Sequence, residues 1–222
     1  MHAYINPLNK LFRQSADDET AIAAKAYLRN QFEHFGITTP LRRDICKGYM
    51  KKNLPSYDDV LIIAKELWQL PQREFQYFAV ELLVAYKRQW DEKIISLFEY
   101  MLIHKSWWDS VDHIASELTG PYFKLFPKKI KPITGKWNRS HNIWLQRSSI
   151  MFQKSYKKET DTELLSAYIM NVVDSKEFFV QKAIGWALRE YSKTNPGWVS
   201  NFVKRHPLSA FSKKEALKRI KK

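Results

Sequence analysis

The sequence predicts an all-α protein, a solenoid assembled from two-helix repeats, and three observations carry that prediction. Eight tryptophans against six glycines make a composition rich in aromatics and poor in turns, which suits helices better than a sandwich or a barrel. No segment of the 222 residues shows convincing strand alternation. A pattern also recurs. The segments around Gln76, Asp109, Gln146 and Gln181 superpose at spacings of 33, 37 and 35 residues, the range of helical-hairpin repeats. Stacked hairpins form long concave surfaces; a plain helical bundle is the alternative. Length allows one large or two small domains, and the repeat reading makes 1–222 one domain.

Taken in order, the first helical pattern runs from about Asp18 to His34, with Ile22, Ala26 and Phe32 among charges and Gly36 as the closing cap. Tyr27 lies in it beside Lys25 and Arg29. Thr39 as N-cap and Pro40 at the first helical position predict the next start. Arg42 and Arg43 then fall in the first turn, where cations oppose the helix dipole. Either a phosphate docks there, on backbone N–H groups and guanidinium together, or both side chains extend into water. Helices follow at about Tyr57 to Gln69, Pro71 to Gln89 and Asp91 to His104. A central helix starts at Ser106 and runs to Gly120. Residues 124–139 form a basic segment marked by prolines. Further helices are predicted at about Asn142 to Tyr156, Thr162 to Val173, Lys176 to Ser192, Pro196 to Arg205 and Ser212 to Lys221.

Charge narrows the function. Lys and Arg number 37 and Asp and Glu 23, a formal net charge of +14 that points to a polyanion partner, nucleic acid before membrane. Between Glu117 and Glu159 there is no acidic residue, and from Lys204 onward Glu215 stands alone among basic side chains. Two such segments on a curved stack would bind a duplex backbone in a salt-dependent, largely sequence-blind way. No apolar run reaches membrane-spanning length, the first residues lack the signal-peptide pattern, and the single cysteine, Cys46, forbids an intrachain disulfide. A cytosolic monomer is expected. The histidines lack metal-ligand spacing and no glycine-rich phosphate loop occurs, so neither metal nor cofactor is expected.

The chemistry concentrates at Lys105-Ser106-Trp107-Trp108-Asp109-Ser110-Val111-Asp112. With Ser106 as N-cap, Asp109 completes an acidic capping box. Trp107 shares the core face with Val111 and Ile114. Trp108 and Asp112, at i and i+4, stand together outside it. Trp186 likewise falls off the core stripe of its helix, with Lys182 one turn before it. Arg147 has no acidic partner at i±4, which excludes an intrahelical ion pair and points to an external anion.

Lys105–Asp112, Asn142-Ile143-Trp144-Leu145-Gln146-Arg147 and the segment from Ser175 to Tyr191 together resemble the AlkD family of bacterial DNA alkylation repair glycosylases. The resemblance extends to Phe35-Gly36-Ile37 and Thr39-Pro40. It implies a right-handed superhelix of HEAT-like repeats with a concave basic face, acting on duplex DNA. It implies excision of cationic N3- and N7-alkylated purines with Asp112 as the catalytic carboxylate. Trp108 and Trp186 would face the damaged nucleotide's sugar, with Arg147 and Tyr27 contacting DNA, and Thr39, Arg43 and Lys182 are further expected DNA contacts. Thr38 departs from the family, where a glutamine is expected near the opposite strand. A non-catalytic DNA-binding repeat protein and a scaffold for an acidic protein are the competing readings.

Overall fold

The computed structural model describes residues 2–220 and is all-helical. Met1 of the segment read for targeting, the expected last-helix end at Lys221, and Lys222 lie outside the described residues. Among those described, the only departure from helix and loop is an isolated bridge between Glu33 and Gln72. The chain forms two compact units, residues 1–97 and 98–222.

The first unit holds α1 (Ile5–Gln14), α2 (Asp18–Tyr27), α3 (Thr39–Lys52), α4 (Tyr57–Gln69) and α5 (Arg73–Ala85), with α6 (Ile95–Ile103) crossing into the second. The second continues with α7 (Trp108–Ile114), a π-helical turn at Ala115–Thr119, α8 (Gly120–Leu125) and α9 (Ile130–Asn138). It ends with α10 (Ile143–Met151), α11 (Thr162–Asn171), α12 (Phe178–Tyr191), α13 (Pro196–Arg205) and α14 (Ala210–Leu217).

The repeat is more regular than the sequence pattern. The helices α5, α7, α10 and α12 begin at Arg73, Trp108, Ile143 and Phe178, each 35 residues after the last. Their partners begin at Tyr57, Glu92, Pro127 and Thr162, the middle two opening on a 3₁₀ turn, again at intervals of 35. The sequence register therefore slips by two residues at the central motif, where Val111, not Asp109, is the true counterpart of the glutamines. Those glutamines have a shared physical job. The side-chain amides of Gln76, Gln146 and Gln181 donate to Leu70, Ser140 and Ser175 carbonyls, each six residues back, and so tie down the turn before the helix. An apolar residue at position 111 cannot do this. The turn there is held instead by Ser106 Oγ, which donates to the Leu102 carbonyl at 2.6 Å.

Several boundaries differ from expectation for local reasons. The helix expected to reach His34 ends at Tyr27, because Arg29 and Asn30 both adopt φ of 57°. Gly36 does not cap it. Gly36 instead lies at φ 82° where an added Cβ would fall 1.9 Å from the Asp17 carbonyl, and its N–H donates to buried Glu74. Thr38 rather than Thr39 is the N-cap of α3, without a side-chain hydrogen bond. Trp107 rather than Ser106 precedes α7, since Ser106 is committed to the previous helix's carbonyl. The segment 124–139 is mostly helix. Pro127 opens a 3₁₀ turn and Pro132 sits in the first turn of α9, where its missing N–H costs little. The first helix, α1, anchored by fully buried Ile5, Leu8 and Phe12, carried no expectation.

Candidate functional site

The second unit builds its site from the N-terminal turns of three successive repeat helices, α7, α10 and α12. Three aromatic rings hold those turns together. Trp107 meets Phe179 at 5.1 Å and Trp144 at 5.7 Å between ring centroids, and Trp144 meets Phe179 at 4.9 Å. Pairs at such separations contribute about 0.5–1.5 kcal/mol each beyond their burial. Above this floor, the fifth residue of each helix occupies an equivalent place: Asp112 in α7, Arg147 in α10, Lys182 in α12. A 35-residue period thus delivers a carboxylate, a guanidinium and an ammonium along one row.

Asp112 and Arg147 are joined by a two-pronged fork. Arg147 Nε donates to Asp112 Oδ1 at 2.7 Å and Nη2 to Oδ2 at 2.8 Å, while Nη1 donates to the Phe179 carbonyl at 2.6 Å. The Arg147 side chain is 1% exposed and that of Asp112 14%. The expectation that Arg147 awaits an external anion therefore meets a correction. No acidic partner lies within its own helix; the carboxylate arrives from 35 residues away, across the repeat. Asp112 keeps a face open to solvent, and Trp108, one turn before it, is half-buried.

Arg147 also carries the row to Trp186, whose ring centroid lies 5.5 Å from its guanidinium carbon. Lys182, Arg189 and Lys154 approach the same ring at 5.2, 5.3 and 5.7 Å. The indole N–H donates to Glu215 Oε2 at 3.2 Å, and Arg189 donates to the same oxygen at 3.0 Å. Lys218 pairs with the other Glu215 oxygen. Burial pushes the Glu215 carboxyl up, but Lys218, Arg189 and the indole N–H outweigh it and hold it below the usual range. Gly185 makes this possible. An added Cβ there would fall 2.5 Å from Glu215 Cβ, so only glycine lets α14 approach α12 this closely.

Sequence reasoning found Asp112, Arg147, Trp186 and Lys182, which are brought together, and Trp108 on the same helix as Asp112. It read Lys154 only as part of the acid-free basic stretch and missed Arg189 and Glu215 as members of the site. A signal existed for Glu215, the lone acid of the basic C-terminal stretch. Tyr27, Thr39 and Arg43 lie in the first unit, all three exposed. Arg42 does not await a phosphate as one reading had it. It is buried, paired with Glu81 at 2.9 Å and stacked 5.1 Å over Tyr77. Cys46 beside it is fully buried, and burial together with Glu81 raises its thiol to about 12, which removes it as a nucleophile. Among the described residues, no cluster of His, Cys, Asp and Glu could hold a metal, and no helix is long and apolar enough to cross a membrane.

The chain as a whole is similar to known proteins. The DNA alkylation repair enzyme family matches residues 8–220. A solved structure titled a predicted DNA alkylation repair enzyme from Enterococcus faecalis is 31% identical, covering 94% of this chain and 98% of that one, with a TM-score of 0.88. AlkD2 from Streptococcus mutans is 21% identical over 89% of this chain and 99% of that one, with a TM-score of 0.63. The smu.31 protein of Streptococcus mutans is 22% identical over 81% and 92%, with a TM-score of 0.61. The last two likenesses speak to the fold alone. Among curated proteins no match is found.

Proposed function

Because this chain belongs to the DNA alkylation repair enzyme family, we propose that it is a DNA glycosylase. Its substrates are cationic N3- and N7-alkylated purines in duplex DNA, and Asp112 is its catalytic carboxylate. The chemistry follows from the leaving group. N-glycosidic cleavage passes through an oxocarbenium-like sugar. An alkylated purine already carries positive charge and departs as a neutral base, so no general acid is required. Water adds to C1′ of the sugar and loses a proton, leaving an abasic site. The charge is conserved, since the positive base becomes neutral as the proton is released.

The observation that carries this reading is a carboxylate fixed in plane, partly open to solvent, in a row with an indole ring. Arg147 occupies one lone pair on each Asp112 oxygen, leaving the others to face the sugar and receive the water's proton. The fork also has a cost. An anion ~4 Å from a developing cation at an effective dielectric of ~20 stabilises it by about 4 kcal/mol, whereas a guanidinium ~8 Å away opposes it by about 2 kcal/mol. The net of about 2 kcal/mol corresponds to roughly 30-fold in rate. Trp108 and Trp186, presenting ring faces to the cationic sugar, would add about 0.5–2 kcal/mol each. Departure of a base that already bears a positive charge accounts for the rest.

The same fork favours a second reading, in which Asp112 only neutralises a buried arginine and the protein binds DNA without cutting it. Base release decides between them. Wild-type protein incubated with a duplex bearing one N7-methylguanine is expected to free the base and leave an alkali-labile site. Tight binding with no base released would establish the second reading.

A further inference from the structure

Four cations crowd Trp186, and they differ in how they are neutralised. Arg147 is paired with Asp112 and Arg189 with Glu215. Lys154 and Lys182 have no carboxylate within ion-pair distance among the described residues, although their Nζ atoms lie 5.7 and 5.2 Å from the ring centroid. Lys154 comes from the turn after α10, at the end of the long acid-free stretch, and Lys182 from α12 one turn before Trp186. Both are half-buried, and Lys182 also lies over Phe178 at 5.4 Å. The aromatic faces beneath both ammonium groups favour these positions for them.

An unneutralised pair of ammonium groups has the wrong sign for a centre that generates a sugar cation. It becomes favourable once an anion docks between the lysines and the sugar. The substrate supplies one. Each nucleotide brings a phosphodiester adjoining the same sugar whose base is lost. The two Nζ atoms are no more than 10.9 Å apart, the sum of their distances to the ring centroid, within the span of two neighbouring backbone phosphates. Lys182 also continues the row that Asp112 and Arg147 begin, so the phosphate would be gripped two repeats beyond the carboxylate.

We propose that Lys154 and Lys182 form a phosphodiester subsite at Trp186 that holds a backbone phosphate flanking the damaged nucleotide, an inference that rests on the glycosylase reading of this site. The phosphate then positions the sugar against the ring and offsets the two positive charges.

The test uses the full chain with Lys154→Gln, Lys182→Gln, the double variant and, as a control outside both basic stretches, the exposed Lys87→Gln. Each is assayed on duplexes with a single N7-methylguanine whose flanking phosphates are normal or, one at a time, neutral methylphosphonates. The subsite predicts that each lysine variant loses about tenfold in affinity at ~0.1 M salt and that its salt dependence flattens by about one unit of slope. Wild type should lose base-release rate with methylphosphonate at one flanking position, and the double variant should lose little more there. Site variants that match Lys87→Gln, or a methylphosphonate effect undiminished in the double variant, would overturn the proposal. If wild type releases no base at all, the glycosylase reading fails, while the salt slopes on unmodified duplex still decide whether these lysines bind phosphate.

Discussion

Asp112 and Arg147 stabilise each other more than either stabilises the fold, and a double-mutant cycle measures this. With the Arg147 side chain 1% exposed and that of Asp112 14% exposed, either single substitution leaves a charge stranded in low dielectric. Breaking a buried pair from one side costs about 3–5 kcal/mol. Arg147→Met removes both prongs and the donor to the Phe179 carbonyl, and Asp112→Asn leaves the guanidinium uncompensated. The double variant Asp112→Asn, Arg147→Met strands no charge and fills most of the space with an apolar chain, so its loss should be only about 0–2 kcal/mol. At about 2–4 °C per kcal/mol for a chain of this size, each single variant should melt about 6–20 °C below wild type and the double within a few degrees of it. Thermal unfolding followed by circular dichroism gives all four corners. If the double variant's loss equals the sum of the singles within about 0.5 kcal/mol, the two residues are uncoupled and the site geometry argued above is wrong.

Other consequences follow from the same contacts. Gly185→Ala forces a methyl to within 2.5 Å of Glu215 Cβ; overpacking of this kind costs about 1–3 kcal/mol, and it should lower base release further by tilting Trp186, readable as a shift in tryptophan emission. Gln146→Ala removes the hydrogen bond to the Ser140 carbonyl and should destabilise by about 1–2 kcal/mol in denaturant unfolding, with the midpoint shifted and the slope unchanged. Glu215 has a folded pKa below its ordinary 4.5, so it binds fewer protons folded than unfolded. Its stabilisation is complete above about pH 4.5 and is lost as pH falls through the folded value. Glu215→Gln should therefore flatten the fall in melting temperature as pH drops below about 4.5, and a parallel profile would refute this role.

The fold was legible where it rests on periodicity and punctuation. The bounds of α4 and α13 are as read, since Ser56 and Asn195 cap them with side-chain bonds and Pro196 opens the latter. It was illegible where backbone geometry decides. Nothing in Arg29 or Asn30 announces two consecutive left-handed residues, and the prolines of 124–139 read as breakers although each sits where a helix start tolerates it. The site was half legible. Trp108, Asp112 and Trp186 emerge because each falls off its helix's core stripe. The partner of Arg147 stayed hidden, because spacing within one helix says nothing about a residue one repeat away. Glu215 was visible only as an anomaly of charge, and its bond to Trp186 depends on a close helix approach that Gly185 permits.

Asp112 as the driver of base loss is tested most directly by single-turnover release of N7-methylguanine from a duplex, compared between wild type, Asp112→Asn and the charge-compensated double variant. Both variants should bind the duplex nearly as tightly as wild type yet release the base at least ~30-fold more slowly, whether or not Arg147 is present. Release at the wild-type rate by the folded double variant, which has no carboxylate at position 112, would contradict it.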